Sequence, residues 1–275
     1  MDQEKSTLLK EKTMLEVAFI SLCFGLQDVE PTQPQALIRA GVWLPRLGGT
    51  IEDGGGEIDF ETSIDLRTKK TTPLVEFSIT PIEDITMTMS FFDFSTSGTG
   101  RFVGNDVFGG LVMRDGDSWS ATTELQSVGI EASWNIWTPY TNDDSATLSF
   151  APVAGIRWFG VESTLGNRTT LQDDVVHKNS WIAIQGGFEM VFMWDTRETL
   201  GWADTVSIEA QMLVGSMFGA DGGAMASVQA GLSIDFTPSI GVVFGYRLQE
   251  LRAEDGDYAF NAGLQGLFIG GEIRF

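Results

Sequence analysis

The chain has 275 residues, 32 glycines, 8 tryptophans and a formal net charge of −21 at pH 7. That charge argues against a nucleic-acid ligand, whose phosphates would be repelled. No apolar run reaches the roughly 18 residues that a membrane-spanning helix needs, and a single cysteine, Cys23, excludes an internal disulfide framework. The length suits one all-β barrel, in which glycine relieves crowding inside and tryptophan favours the membrane interface.

Residues 1–35 are predicted to form a leader-like segment and a linker. Three lysines precede an apolar stretch at 17–26, which has roughly the length of a signal-peptide core. Residues 27–35 contain two prolines and follow as the linker. Cys23 either carries a lipid anchor or belongs to the apolar core, and the second is favoured because Leu22 replaces the small residue that a lipoprotein signal has there.

Ten strands are predicted in residues 36–275, because apolar and polar residues alternate with period 2. Between 228 and 236, for example, Val228, Leu232 and Phe236 share one face, while Gln229 and Asp235 share the other. The predicted strands are 36–44, 73–80, 84–94, 122–138, 145–162, 178–194, 203–218, 224–237, 239–252 and 258–275. This pattern predicts an all-β fold, a transmembrane antiparallel up-and-down barrel of about 10 strands. Eight or twelve strands are the alternatives.

The connections between these strands predict which end of the barrel faces the periplasm. With both chain ends on the periplasmic side, the turns there are short and fall at 81–83, 139–144, 195–202 and 238. The opposite side receives two long connections, 45–72 and 95–121, which are rich in Gly, Asp and Thr. Short periplasmic turns and long extracellular loops are typical of outer-membrane barrels.

Aromatic residues are predicted to form two girdles, one at each membrane interface. The periplasmic girdle is assigned Trp134, Trp137, Tyr140, Trp194, Trp202, Phe236 and Phe275. The opposite girdle is assigned Trp43, Trp158, Trp181 and Phe218.

The last predicted strand ends on an aromatic residue. Leu267, Ile269, Ile273 and Phe275 lie on one face of it, as in the C-terminal insertion signal of bacterial outer-membrane barrels. The predicted location is therefore the bacterial outer membrane, with membrane lipid, lipopolysaccharide and the barrel-assembly machinery as partners.

Segment 38–41 (IRAG), the long first loop with Gly48, Gly49 and Thr50, and the terminal 273–275 (IRF) give a layout that resembles the small outer-membrane barrels of the OmpW and OmpA-domain type. The resemblance implies a monomeric barrel inserted by the general barrel-assembly machinery, with transport of small or hydrophobic molecules as one known role. Those families have eight strands, where ten are predicted here. No functional residue is carried over.

Polar side chains that alternate with the apolar face are predicted to point into the lumen. They are Arg39, Glu76, Glu131, Arg157, Gln185, Glu189, Glu209, Gln211, Asp235, Arg247, Glu272 and Arg274. Unpaired charges in so narrow an interior are costly, so Arg–Glu pairing is expected. Large inward residues such as Phe159, Trp181 and Phe268 favour a salt-bridged structural plug. A narrow polar pathway through the same residues is the alternative.

Catalysis is not predicted, and neither is a metal or cofactor site. Lipid-active barrel enzymes pair a His with a Ser two residues away on the barrel wall, because the imidazole must reach the hydroxyl that it activates. The single histidine, His177, has its nearest following serine at Ser180, which faces away in a strand. His177 is expected to be a solvated residue at a loop edge. Segments 115–117 and 255–257 (DGD) are expected to be tight turns rather than calcium loops.

The predicted function is a non-enzymatic, integral outer-membrane barrel that stabilises the envelope or passively passes small solutes. Two alternatives stay open. One is a lipid-active outer-membrane enzyme, and the other is an adhesion or recognition barrel that acts through its extracellular loops.

Overall fold

A computed structural model describes residues 36–275 except 65, 67–69, 83, 143–144, 171 and 220, together with the side chains of 139–142. The predicted leader and linker, residues 1–35, therefore lie outside the described residues. Their assignment as a segment separate from the barrel stays a prediction.

The described chain is almost entirely β-structure, with ten long strands, four short strands and one four-residue helix. In chain order the elements are β1 (Ala36–Asp53), β2 (Gly56–Asp59), β3 (Thr72–Ile82), β4 (Ile85–Arg101), β5 (Asp106–Phe108), β6 (Leu111–Met113), β7 (Ser118–Trp134), β8 (Trp137–Asn142), β9 (Ala146–Asn167), β10 (Val175–Asp195), α1 (Arg197–Leu200), β11 (Thr205–Phe218), β12 (Gly222–Thr237), β13 (Ile240–Asp255) and β14 (Tyr258–Arg274).

The ten long strands close into an antiparallel barrel. Each pairs with the next long strand in the chain, and the last strand, β14, pairs with β1. Arg39 of β1 thus lies opposite Glu272 of β14 on one side and Glu76 of β3 on the other. Closure leaves the barrel wall without the free edges that an open sheet would expose. The predicted barrel and its count of ten strands are confirmed.

The wall changes character along its length. On β1 and β14 the outward side chains are apolar up to Leu44 and Leu267, which are 38% and 62% exposed. The next outward residues, Arg46 and Gln265, are polar. We call the apolar-walled part the membrane half, which comprises 36–44, 72–82, 84–91, 128–134, 146–158, 182–195, 205–214, 228–237, 240–248 and 267–275. The continuation of the strands beyond it, away from the chain-terminal end, is the projecting half, together with β2, β5, β6 and the loops at that end.

The belt around the membrane half has the dimensions of a lipid bilayer. Segments 36–44, 240–248 and 267–275 each contain nine residues, and a tilted strand crosses the hydrocarbon core with about 9–11 residues. Within the described residues, no helix is long and apolar enough to cross a membrane. A closed barrel with an outward apolar belt satisfies every backbone hydrogen bond within lipid. The protein is an integral β-barrel of the bacterial outer membrane.

Several strands extend beyond their predicted ends on the projecting side. Strand β1 continues to Asp53 and β4 to Arg101, so parts of the predicted long loops at 45–72 and 95–121 are strand. Pro45 fits within β1 because the pairing with β3 ends at the Trp43–Thr72 pair. At position 45 no β3 residue lies opposite that would need the backbone N–H that proline lacks. The strands were predicted to end too early because the apolar side chains move from the outward face to the inward face at this point, although the alternation of period 2 continues.

The predicted girdles are correct at one end only. Trp134, Trp137, Trp194, Trp202, Phe236 and Phe275 are exposed at the chain-terminal end of the barrel, and the side chain of Tyr140 is not described. At the other end, Trp43 and Trp181 point inward and are 0% and 1% exposed. Their assignment to a girdle was wrong. Trp158 and Phe218 remain on the outer surface there.

A continuous apolar core fills the interior of the projecting half and extends to the adjoining inward residues of the membrane half, Trp43 and Phe268 among them. Trp43 and Phe92 meet edge to face, with ring centroids 5.3 Å apart. The connections at this end fold inward, so Phe60 and Phe108 are buried beside the strands' own side chains. The larger members are Trp43, Leu47, Ile51, Ile58, Phe60, Phe92, Phe94, Phe108, Trp119, Phe159, Trp181, Phe260, Leu264 and Phe268. This core fills the barrel above the membrane half.

Candidate functional site

The polar interior of the membrane half is the main concentration of charged groups inside the barrel. The structure places all twelve residues predicted to line the lumen on the inward face of their strands. Eight of them are buried: Arg39, Glu76, Glu131, Arg157, Gln185, Asp235, Arg247 and Glu272. The other four are half-buried: Glu189, Glu209, Gln211 and Arg274.

Arg39 is the centre of one network. Its Nε donates to Glu272 at 2.6 Å, its Nη1 donates to Glu76 at 3.2 Å, and its Nη2 donates to both carboxylate oxygens of Glu209 at 3.0 Å. Glu209 lies on β11, which is separated from β1 by β12, β13 and β14 in the closed sheet. The Arg39–Glu209 ion pair therefore crosses the lumen rather than following the wall.

Two further arginines extend this network around the wall. Arg247 donates to Gln229 at 2.6 Å and also to Glu76. Arg274 donates to Glu272 at 2.7 Å and to Asp235. The carboxylate of Glu272 thus accepts hydrogen bonds from both Arg39 and Arg274. Shared carboxylates of this kind satisfy the buried charges on both partners.

Arg157 forms a second network on β9. It donates to Glu131 at 2.6 Å, to Ser90 at 2.8 Å and to Ser127 at 3.2 Å. Gly129 makes room for it, since a Cβ there would lie 2.6 Å from the guanidinium carbon. A glycine at position 129 of the neighbouring strand β7 thus leaves the space that the Arg157 guanidinium occupies.

Glu131 connects this network to the opposite strands. Gln185 donates to one of its oxygens at 2.8 Å, and Gln211 donates to the other at 3.2 Å. Gln211 also faces Glu189 across the β10–β11 pair, and Glu189 hydrogen-bonds Ser133. The twelve predicted lumen residues include four arginines and six carboxylates, so the carboxylates outnumber the arginines by two.

The apolar core lies directly above these networks. Phe159, Trp181 and Phe268 all point inward, and none of them is more than 3% exposed. Along β14 the inward series passes from Glu272 through Gly270 to Phe268 and then Leu264. The interior is thus filled by two consecutive layers, polar within the membrane half and apolar beyond it.

His177 occupies a different place from the one predicted. It lies within β10 and points into the mouth of the projecting half, where its Nε2 is 2.7 Å from Asp53 Oδ2. Its ring stacks on Tyr258 with centroids 4.4 Å apart and meets the edge of Phe108 at 5.7 Å. The expected solvated loop edge is wrong, because the second half of β1 and the β5–β6 hairpin cover this position.

Sequence reasoning missed Asp53 because it lies 124 residues before His177 and inside a predicted loop. Ser180 faces outward, as its spacing predicted, while Ser163 is the residue directly opposite His177 on β9. Ser163 is 3% exposed. Continuing the predicted strand beyond residue 162 would have identified this pairing.

The two DGD segments form turns. Gly116 and Gly256 adopt φ values of 85° and 61°, the left-handed region that favours glycine. Asp117 accepts hydrogen bonds from the backbone N–H of Arg114 and the side chain of Asn167. These two hydrogen bonds stabilise the charged carboxylate and hold the pKa of Asp117 below its usual value.

The four residues of the predicted insertion signal all lie on the outer wall. Leu267, Ile269, Ile273 and Phe275 are 62%, 57%, 49% and 67% exposed. An outward apolar strand at the closing seam of the barrel is compatible with insertion of this strand into lipid. Its use as a signal stays a prediction.

No protein-family model matches the chain, and no curated protein matches it in sequence. Among solved structures, it resembles the outer-membrane protease OmpT of Escherichia coli at 8% identity, over 90% of this chain and 99% of that one, with a TM-score of 0.46. The translocator domain of the autotransporter NalP from Neisseria meningitidis matches at 11% identity, over 98% of each chain, with a TM-score of 0.37.

The attachment protein Ail of Yersinia pestis matches at 11% identity, over 88% of this chain and 100% of that one, with a TM-score of 0.33. With such identities and TM-scores, these likenesses do not favour any one role. The assignment to the outer membrane follows from the barrel's own closure and apolar belt.

Proposed function

We propose that the protein is a non-conducting, non-enzymatic barrel that stabilises the outer-membrane envelope. The observation that carries this proposal is the Arg39–Glu209 ion pair, which spans the lumen at 3.0 Å within a network of buried charges. Of the two predicted roles, the structural one is favoured over passage of small solutes.

The order of the two interior layers supports closure. A solute entering from the chain-terminal end would have to break the ion pairs of Arg39 and Arg247, which costs several kcal/mol for each buried charge left unpaired. It would then meet the packed aromatic side chains of Phe159, Trp181 and Phe268. Polar solutes gain nothing there to offset the loss of their hydration.

The two excess carboxylates of the polar layer favour cations if the layer admits any ion. Glu189 hydrogen-bonds a serine, Ser133. The other five inward carboxylates each accept a hydrogen bond from an arginine. A rare opening of the barrel is therefore expected to select cations over anions. Glu189 is the residue at which to test this selectivity.

A second candidate function, hydrolysis at the barrel mouth, is favoured by one observation. Asp53, His177 and the cross-strand neighbour Ser163 bring together the residue types of a catalytic triad. Burial of the serine argues against it, because Ser163 is only 3% exposed, while Tyr258 and Phe108 cover part of the imidazole. Release of fatty acid by the purified protein, lost in both His177→Ala and Ser163→Ala, would establish this alternative.

Conductance in a planar bilayer tests the main proposal. The refolded barrel, identified by its heat-modifiable migration on a gel, is expected to insert without producing stepwise currents. Stable currents whose cation selectivity falls in Glu189→Gln would instead show a conducting pathway through the polar layer. Glu250→Gln is the control, since Glu250 is exposed on the outer wall of β13.

A further inference from the structure

A groove of about 300 Å³ lies on the outer wall where the apolar belt ends, on strands β7, β9 and β10. Its floor is the indole of Trp158, which leans along β9 over Gly160. A Cβ at position 160 would lie 2.7 Å from the indole atom Cη2, so the glycine is what lets the ring lie against the sheet. Trp158 remains 37% exposed in this position.

The groove has apolar and polar banks. On the membrane side the groove is lined by Trp158 itself, and the neighbours of Trp158 on the hydrogen-bonded strands, Val128 and Ile182, continue into the belt. On the projecting side, Glu124 lies directly opposite Glu162, and Glu162 lies opposite Lys178. The groove therefore follows the boundary between the lipid-facing wall and the charged wall.

The two carboxylates of the polar bank have different neighbours. Lys178 forms an ion pair with Glu162 at 3.0 Å, while its side chain stays 80% exposed. Like charges directly opposite each other on neighbouring strands destabilise a sheet, and the Glu124–Glu162 pair is such a case. The bank thus offers a negative site at Glu124 on β7 and an accessible ammonium at Lys178 on β10, on either side of β9.

We propose that this groove binds the zwitterionic headgroup of a membrane phospholipid. The headgroup amine would lie between Glu124 and the face of Trp158, where carboxylate and indole both attract a cation. The phosphate would accept hydrogen bonds from Lys178 and Ser180, and an acyl chain would follow Val128 and Ile182 into the belt. Continuity with the belt favours a lipid over a soluble amine.

The complementarity also predicts which lipids are disfavoured. A headgroup with a phosphate and no amine would leave Glu124 unpaired and would bring the negative phosphate close to the negative carboxylate of Glu124. An anionic lipid is therefore expected to bind this groove more weakly than a zwitterionic one of the same acyl composition. This inference depends on the outer wall of the barrel and not on closure of the lumen, so it is independent of the proposed structural role.

Lipid retention measured by native mass spectrometry tests the proposal. The full chain is refolded, titrated with phosphatidylethanolamine or phosphatidylglycerol of matched acyl chains, and scored for bound lipid. Wild type is expected to retain phosphatidylethanolamine preferentially. Glu124→Gln should reduce that retention about two- to fivefold, the change that an exposed cation–π contact with its carboxylate partner supports. It should raise phosphatidylglycerol retention, because it removes the carboxylate that repels the phosphate of this lipid.

Two further variants separate the groove from general effects. Gly160→Ala displaces the indole from the floor and is expected to lower phosphatidylethanolamine retention in the same direction. Glu250→Gln removes an exposed outward carboxylate on the distant strand β13 and should change nothing. Equal retention of the two lipids by wild type, or equal behaviour of Glu124→Gln and Glu250→Gln in barrels that migrate as folded, would overturn the proposal.

Discussion

The membrane half and the projecting half of the barrel use the same strands with opposite polarity. On β13 the membrane half places Phe244 outward and Arg247 inward, while the projecting half places Glu250 outward and Leu251 inward. The pairing of β13 with β14 continues through this change without a register shift. The same alternation of period 2 therefore suits both lipid and water, because the apolar side chains point outward in the membrane half and inward in the projecting half.

The two halves are consequently stabilised in different ways. The projecting half stands in water and buries apolar side chains inside, so the hydrophobic effect stabilises it as it does a soluble domain. In the membrane half lipid already covers the apolar face, and the interior is polar. There, ion pairs and hydrogen bonds among Arg39, Arg157 and their partners must satisfy the charges that the fold encloses.

The largest expected effect comes from removing the central cation of the membrane half. Arg39→Met leaves the carboxylates of Glu272, Glu76 and Glu209 without their shared guanidinium, and the free energy of unfolding should fall by about 3–5 kcal/mol. Urea titration of the barrel in lipid vesicles, followed by heat-modifiable gel migration, measures the change.

The same substitution in the projecting half is the matched control. Arg252 points outward into water and is exposed, so Arg252→Met should change the free energy of unfolding by less than about 1 kcal/mol. Equal losses in the two variants would contradict the different basis of stability in the two halves.

The belt boundary can be located by placing a charge on either side of it. Ile269→Arg puts a guanidinium on the lipid-facing wall and should cost about 2–4 kcal/mol, whereas Gln265→Arg, two outward positions further along β14, should cost about 0–1 kcal/mol. Both residues point outward, so burial inside the barrel does not confuse the comparison. A similar cost at both positions, measured by urea titration in vesicles, would place the boundary elsewhere.

The smallest of these effects is expected at the mouth of the projecting half. His177→Ala removes the partner of Asp53 and should lower the free energy of unfolding by about 1–3 kcal/mol. Because Phe108 of the β5–β6 hairpin packs on this ring, limited proteolysis should also cut near residues 106–113 sooner. Lys178→Ala is the control at the adjacent outward position, and cleavage as fast as in His177→Ala would exclude a specific role for the ring.

The sequence predicted the membrane half far better than the projecting half. Within the belt, alternation identified ten strands and the inward face of each, since lipid requires a continuous apolar face on the other side. Trp43 and Trp181 were assigned outward because tryptophan is typical of girdles, whereas at the junction of the two halves the inward face is already apolar. Once the apolar face is inside, an outward Arg46 resembles a loop residue, and the predicted strand 36–44 ended too early.

The side-chain contacts across the barrel were beyond prediction for a different reason. The Arg39–Glu209 and Asp53–His177 pairs join residues that are 170 and 124 positions apart in the chain. Which inward residues meet depends on strand tilt and on how far each strand is staggered against the next. Neither quantity is encoded in the alternation of a single strand.

The exchange of polarity between the halves is tested most directly by cysteine labelling along β14. In a Cys23→Ser background, single cysteines are placed at the outward positions Gln265 and Ile269 and at the inward position Leu264, and each folded barrel in vesicles is treated with a water-soluble maleimide. Rapid labelling at 265, with protection by lipid at 269 and by the apolar core at 264, is the predicted result. Labelling at 269 as fast as at 265, or faster labelling at 264 than at 265, would contradict the exchange of faces.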